Sequence, residues 1–353
     1  MRFLPTVVDI ETVNRFCDAR CPMCTIKFLP DFKNKTEEEF SHKGFARKAE
    51  ILKDEIFEKI ADKFKKHTKN ITALNLHGCG EPLLDKNLSN KIAYAKKVGF
   101  TNIGFSSNCN ILTQNRTKQL LESGLNCLIA SIDGFSKKVH EGIRPRTNFE
   151  SVYKNVKFFI DYRNKNNFPC RVLPRMIRQQ ENKHEWEDYE NYWNSVLDPK
   201  KGDKVLFFDI HNTGGKVEDF NKKKVDDYDK KINSYNNTEL DSNNPYLAKI
   251  INKNSKNTIQ YINANDAERA RLCPDLFARI NIFASGDVAL CSADQAEYFK
   301  IGNMINQELE DVFNSDILNK YREKWLKNEH LDLKYCNECT IAVSRFNKTY
   351  QTA

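Results

Sequence analysis

Residues 6–24, TVVDIETVNRFCDARCPMC, decide how the rest of the chain is read. Residues 6–13 (TVVDIETV) predict a β-strand, and three cysteines follow it directly: Cys17, Cys21 and Cys24, spaced C-x3-C-x2-C. A loop at the C-terminal end of a first strand lies on the face where β/α barrels place their chemistry. Three thiolates on so short a loop can hold three irons of a cubane cluster. Such a cube has four irons and usually takes four protein ligands, so three leave one iron open to a substrate or cofactor. A zinc site would want a fourth ligand close by, and none is adjacent.

Downstream, strand-like and helical stretches alternate. Residues 54–67 predict a helix, with Asp54 as N-cap and Ile56, Phe57, Ile60, Ala61 and Phe64 at helical spacing. Residues 71–77, 102–106, 126–133, 170–177 and 205–210 read as strands. Residues 88–98 (ending at Gly99), 112–123 (stopping at Gly124), 149–163 and 185–196 read as helices. Repeated β-then-α units imply parallel strands joined by right-handed crossovers. About six fit before Gly215, which suggests an α/β chain built on an open, partial (β/α)6 TIM-like barrel rather than a closed eight-stranded one. The organisation expected is a core barrel over 1–215, a polar Lys/Asn/Asp-rich linker or excursion over 216–265, a small Cys-rich region over 266–345, and a tail over 346–353.

Composition narrows the class. A chain of 353 residues with 40% hydrophobic content needs no disulfide staples. It has no run of about 18 apolar residues and no signal-peptide pattern at its start, so no membrane partner is expected and the expected location is cytoplasmic. Eleven cysteines in a reducing compartment argue for metal ligation or catalysis. The net charge of +8 suits acidic partners. Its lysines are spread throughout, with no basic stripe and interleaved aromatics, so no nucleic-acid partner is expected.

Further motifs sit at the ends of later strands. HGCGEP, residues 77–82, places Gly78 and Gly80 where backbone can approach a ligand closely, and Glu81 where a carboxylate can meet an ammonium group. An ordinary βα turn with a solvated Glu is the plain alternative. Next come Ser106-Ser107-Asn108-Cys109, Ser131-Ile132-Asp133-Gly134, and His140 followed by Arg144.

Together these resemble the radical S-adenosylmethionine (radical SAM) enzymes. Cys17, Cys21 and Cys24 match the CxxxCxxC signature, and residues 78–82 match the GGEP-type motif, with Cys79 in place of a glycine. Residues 106–109 resemble the Ser-Asn-Gly segment, with Cys109 where glycine is common. Residues 131–134 resemble the Ser-Leu-Asp-Gly strand end, and His140 with Arg144 the His-(x)3-Arg element. The resemblance covers about residues 5–215. It implies a [4Fe–4S] cluster on the three cysteines whose open iron chelates S-adenosylmethionine. It also implies SAM contacts from Glu81, Ser131 and Arg144 and, near the adenine, from Met23 and Ile26. Gly78, Gly80, Ser107, Asn108 and Asp133 complete the implied cofactor set. Reductive cleavage of SAM would give a 5′-deoxyadenosyl radical that abstracts hydrogen from substrate.

Cys273, Cys291, Cys336 and Cys339 form a second set: C-x12-G-x4-C around Gly286, a long gap, then C-x2-C. This is similar to the SPASM/twitch extension of radical SAM enzymes and implies one auxiliary [4Fe–4S] cluster with four cysteine ligands. A four-thiolate zinc site fits C-x2-C equally well. Among the remaining cysteines, Cys127 and Cys170 read as core. Cys79 and Cys109 lie at strand ends, where a thiol can donate a hydrogen atom to a substrate radical, as an epimerase requires, or can simply fill a glycine slot. His77, Arg175 and Arg178 are weaker candidates for the cavity wall.

Two enzyme readings stand open. One is oxidation or epimerisation of a small polar, carbohydrate-like metabolite. The other is crosslinking, epimerisation or oxidation of a ribosomally made peptide precursor. The first is favoured because the motif begins almost at Met1, leaving no room for a peptide-recognition domain ahead of it. A reading of another class is a non-catalytic Fe–S or zinc scaffold. The resemblance implies a flavodoxin- or ferredoxin-type electron donor, which the basic charge suits.

Overall fold

The computed structural model describes residues 3–24, 47–211, 219–225, 273–295, 299–327, 329–333, Cys336 and Cys339. Eleven strands occur among them: β1 (Val7–Ile10), β2 (Val13–Asn14), β3 (Glu50–Ile51), β4 (Ala73–Asn75), β5 (Ile103–Ser107), β6 (Cys127–Ser131), β7 (Arg171–Arg178), β8 (Leu206–Asp209), β9 (Arg279–Ile282), β10 (Asp287–Ala289) and β11 (Lys300–Asn303). Nine form one sheet in the order β11-β10-β9-β1-β4-β5-β6-β7-β8, and β2 pairs with β3 in a small antiparallel ladder. The six strands β1 and β4–β8 run parallel, as the repeated units predict. β9 adds to the free edge of β1, also in parallel, and β10 and β11 continue from it antiparallel.

Strand periodicity sorts side chains onto two faces. Val8 and Ile10 of β1, Leu74 of β4, Phe105 of β5, Leu128 of β6 and Val172 and Met176 of β7 point to the helices. There they pack against Phe57, Ile60, Ile92, Leu120, Phe159 and Trp193 in one continuous core. Alternate residues, among them Asp9, Asn75, Ser106, Ser131 and Arg175, occupy the inner face. Part of that face is filled by a separate apolar cluster of Cys127, Ile129 and Leu173 with Leu206.

The helices follow the sequence closely where glycine ends them. Leu88–Val98 stops at Gly99, whose φ of 117° only glycine adopts readily. Two expectations need correction. Lys53, not Asp54, occupies the N-cap of the helix Asp54–Asp62. Asp54 is its first residue because its carboxylate is bonded outward, to Lys91 Nζ at 2.5 Å and Asn87 Nδ2 at 2.7 Å. That helix also ends at Asp62, and turns carry Phe64 into the core before the short Thr68–Asn70 helix. The predicted linker is described only at residues 219–225, and Asn212-Thr213-Gly214-Gly215 and the tail lie outside the described residues. No described helix is long and apolar enough to cross a membrane.

Arg163, on the helix Phe149–Lys165, is wholly buried and forked onto Asp203 at 2.5 and 2.7 Å. Asp203 also accepts from the amides of Val172 and Asp198. Arg163→Met would leave that carboxylate buried without its cation. The expected loss is about 3–5 kcal/mol of stability, read as a lowered urea midpoint with unchanged slope.

Candidate active site

The loops after β1, β4, β5 and β6 meet at the C-terminal ends of the parallel strands. The loop after β1 carries Cys17, Cys21 and Cys24, and the amide of Cys24 donates to the carbonyl of Cys21 at 3.1 Å in a tight turn. The GCGEP loop is laced to it through backbone: Arg15 N donates to Cys79 O at 2.6 Å and Glu81 N to Phe16 O at 2.9 Å. Glycine is required for that approach. A Cβ on Gly80 would sit 2.3 Å from the Val13 carbonyl oxygen, and one on Gly78 would sit 2.5 Å from Glu11 Cγ.

Side chains complete the lacing. Asp18 accepts from Asn108 Nδ2 and Asn110 Nδ2, both at 2.7 Å, and Asn108 Nδ2 also lies 3.9 Å from Cys17 Sγ. Arg144 comes within 3.6 Å of Cys21 Sγ through one guanidinium nitrogen and pairs with Asp133 through Nε at 2.8 Å. Asp133 Oδ1 accepts from Ile177 N.

Glu81 is buried. Its carboxylate accepts from Ser107 Oγ at 2.7 Å, Asn108 N at 2.9 Å and Leu83 N at 3.1 Å. Burial pushes its pKa up to about 7 against the downward pull of those hydrogen bonds. Glu81 therefore ties the GCGEP loop to the Ser107–Asn108 strand end, whatever else it binds.

Ser131 lies with Ser106, their hydroxyls 3.0 Å apart, and Arg175 donates to both, at 2.7 and 3.0 Å. His140 is fully buried beside Phe149. Met23 is half-exposed on the cysteine loop, and Ile26 lies outside the described residues.

Cys79 and Cys109 differ in the way their glycine-like positions demand. Cys109 has φ +58°, the left-handed region that glycine favours, whereas Cys79 has no positive φ. Both are buried, and the Cys109 thiol faces the Ser107 carbonyl at 3.6 Å.

The residues present can be tested against an iron–sulfur cube. Among the described residues no three His, Cys, Asp or Glu side chains are closed up to metal-ligating distance, so the test rests on the donor set. None of the three thiols is in a disulfide and they share one loop, with a guanidinium beside Cys21. Burial pushes Cys17 up to about 12 and raises Cys21. A buried thiol that resists ionising alone does so when a cation replaces its proton, and the set fits.

The second set is similar. Cys273 precedes the helix Pro274–Ala278, and Ser292 N donates to Asp275 Oδ2 at 2.7 Å, which brings the Cys291 turn to it. Cys339 N donates to Cys336 O at 3.1 Å. Burial, with the nearby Asp275 and Cys273, raises Cys291, and burial raises Cys336 to about 11, so both thiols resist ionising alone.

Sequence reasoning missed Glu11 and Arg47. Both are buried, with Arg47 NH1 2.5 Å from Glu11 Oε2 and NH2 3.1 Å from Oε1. Glu11 also accepts from Cys79 N at 2.9 Å and Ala284 N at 3.2 Å. The available signal was two carboxylates, Asp9 and Glu11, at alternate positions of the predicted strand 6–13.

The tight approach at Gly80 is testable. Gly80→Ala is expected to cost about 1–3 kcal/mol, because the backbone it meets cannot yield. Gly142→Ala, on the helix Lys137–Ile143 with nothing within 4 Å of its added Cβ, should add about 0.4–1 kcal/mol. Chemical denaturation of both variants checks the contrast.

Comparison with known proteins agrees with this geometry. The family model of the radical SAM superfamily matches residues 12–191, and that of SPASM, an iron–sulfur cluster-binding domain, matches residues 273–340. No curated protein matches the chain in sequence. Among solved structures, native anSMEcpe with bound AdoMet aligns over 98% of this chain and 95% of its own, with TM-score 0.61 and 14% identity. Streptococcus suis SuiB bound to precursor peptide SuiA aligns over 96% of this chain and 70% of its own, with TM-score 0.59 and 16% identity. BtrN in complex with AdoMet and 2-DOIA aligns over 96% and 94%, with TM-score 0.55 and 14% identity. At such identities these likenesses show a shared fold. The family model covers half the chain, and the chain belongs to the radical SAM superfamily, with a SPASM region at its C-terminal end.

Proposed function

We infer that the chain is a radical SAM enzyme acting on a small polar, carbohydrate-like metabolite held on the inner face of the sheet, and that it oxidises it. One observation supports this best: three loops distant in sequence, after β4, β5 and β6, converge on the three-cysteine loop, with Arg144 3.6 Å from Cys21 and the GCGEP loop hydrogen-bonded to Phe16. Cys17, Cys21 and Cys24 would hold the SAM cluster, and Cys273, Cys291, Cys336 and Cys339 one auxiliary [4Fe–4S] cluster. When bound and reduced, the first cluster supplies an electron that cleaves SAM to methionine and a 5′-deoxyadenosyl radical.

The protein's own contribution is positional. Gly78 and Gly80 let the GCGEP backbone close on the cysteine loop. Glu81 fixes the Ser107–Asn108 strand end and offers its carboxylate towards the cofactor's amino group. Asp133 orients Arg144, whose cation offsets thiolate charge and suits the cofactor's carboxylate. Ser131 is a candidate ribose contact, and Met23 and Ile26 candidate adenine neighbours. Burial of Cys79 and Cys109 weighs against either as a hydrogen-atom donor to substrate, and so favours oxidation over epimerisation. The auxiliary site would accept the second electron of an oxidation, and an acidic flavodoxin or ferredoxin would supply the first.

Peptide modification is the second reading. It is favoured by the SuiB and anSMEcpe structures, which were solved with peptides.

Anaerobic reconstitution should give about eight iron and eight sulfide per chain, the count for two cubanes. Dithionite plus SAM should release 5′-deoxyadenosine, and Cys17→Ala should abolish that release. Zinc in place of iron at the second set, or SAM left intact by the wild type, would overturn the reading.

A further inference from the structure

At the tip of β4 the backbone sets the orientation of one side chain. β4 ends at Asn75, whereas β5 runs on to Ser107. Period two carries the inner face from Asn75 to His77, which the register of the two strands brings opposite Ser106. There the ring takes up an amide that has run past the end of β4: Ser106 N donates to His77 Nδ1 at 3.0 Å. A ring nitrogen that accepts carries no hydrogen, so the hydrogen of the neutral ring sits on Nε2. Burial, the largest cause, lowers the His77 pKa to about 4, so the ring stays neutral at ordinary pH. No described residue bonds Nε2, and His77 is half-buried, which leaves that end of the ring open to the inner face.

Its neighbours on this face are bonded to one another. Arg175 donates to Ser131 Oγ at 2.7 Å and to Ser106 Oγ at 3.0 Å, and the two hydroxyls lie 3.0 Å apart. Asp9 accepts from Asn75 Nδ2 at 2.6 Å and from Arg279 at 2.8 Å. The charges that bear on the ring are Asp9 from β1, Arg175 from β7 and Arg279 from β9, two cations against one carboxylate. An ammonium brought to Nε2 would meet a donor among like charges. A hydroxyl or carbonyl oxygen would meet its complement.

We propose that His77 is a specificity-determining residue: its Nε2–H donates to a hydroxyl or carbonyl oxygen of a sugar-like substrate and rejects an ammonium at that place. His77 directly precedes Gly78 of the GCGEP loop, so the oxygen is held next to the segment that carries Glu81 and closes on the cysteine loop. This rests on the reading of the inner face as the place where the substrate lies.

The test uses the reconstituted protein with SAM and reads binding by ligand-observed NMR titration. The oxygen probe is myo-inositol, which presents a hydroxyl at every carbon. The selectivity pair is trans-cyclohexane-1,4-diol and trans-cyclohexane-1,4-diammonium, each the same at both ends, so that neither can turn its polar group away. Wild type should bind myo-inositol, and should bind the diol about tenfold or more tighter than the diammonium. His77→Leu should weaken myo-inositol about three- to tenfold, the worth of one neutral hydrogen bond. His77→Gln, whose side-chain amide offers an N–H at similar reach, should keep most of the affinity. Because the donor is a neutral ring, wild-type binding should be flat from about pH 5.5 to 8. Thermal unfolding checks both variants, and should His77→Leu not fold, the pH series and the selectivity pair still decide. No binding of myo-inositol by the wild type, equal binding of diol and diammonium, equal weakening by Leu and Gln, or an affinity that titrates in that range would overturn the proposal. Release of 5′-deoxyadenosine by the same wild-type preparation is read separately: SAM cleavage without the oxygen preference removes this inference and leaves the enzyme reading standing.

Discussion

The buried carboxylate of Glu11 is the interaction on which the architecture turns. It follows β1 directly and receives four donors: two from the Arg47 guanidinium, one from the Cys79 amide and one from the Ala284 amide. Those donors come from Arg47, just before β3, from the GCGEP loop and from the turn between β9 and β10. The cation is held in turn by stacking over Phe283, 3.5 Å from the ring centroid, and by donating from Nε to Gln295 O at 3.0 Å. A charge this buried is stable only when paired and hydrogen-bonded. Glu11 is satisfied only when all three segments are in place, so one group makes the cysteine loop, its neighbouring glycine loop and the C-terminal region mutually dependent.

That dependence changes what the C-terminal region is. Its cysteine spacing suggests a separate small unit joined by a linker, but β9 pairs in parallel with β1 in the register Val7 to Arg279 through Ile10 to Ile282. Cys17, Cys21 and Cys24 follow β1, and Cys273 and Cys291 lie either side of the β9–β10 hairpin, so these five stand by neighbouring strands of one sheet, while Cys336 and Cys339 come after the helix Asp316–Leu326. The long intervening stretch costs little in closure entropy, since that cost grows only as the logarithm of loop length. A sheet that continues across the join fixes the relation between two candidate clusters more firmly than a domain contact would.

The chemistry-bearing positions and the order of elements were legible because they depend on local rules. Three thiols after a strand, glycines at helix ends and alternating apolar residues all act within a few residues of one another. What was not legible depends on partners remote in sequence. Asp54 looks like an N-cap until Lys91 claims its carboxylate. The pairing of β9 with β1 joins positions 272 apart (Val7 and Arg279) and leaves no periodic trace in either. Nothing in the sequence marks Glu11 and Arg47, which lie 36 positions apart, as a buried pair. Cys109 was recognisable as a residue in a glycine position, but only the backbone shows that its φ is positive while that of Cys79 is not.

Three carboxylates around the site sit in closed ion pairs, while Glu81 and Asp18 are held by neutral donors and the thiols are left to be compensated. Asp133 with Arg144, Glu11 with Arg47 and Asp9 with Arg279 each neutralise a buried carboxylate within hydrogen-bonding distance. The cysteine loop itself is held mostly by backbone amides and carbonyls, from Arg15, Phe16 and Arg20, and by the neutral amides of Asn108 and Asn110 on Asp18. Hydrogen bonds of that kind fix shape without supplying the positive charge that three thiolates need. Arg144 lies 3.6 Å from the Cys21 thiol, and its charge is already shared with Asp133. Burial raises the Cys17 and Cys21 pKa values, so these thiols stay protonated unless a cationic group that they would bind supplies the remaining compensation.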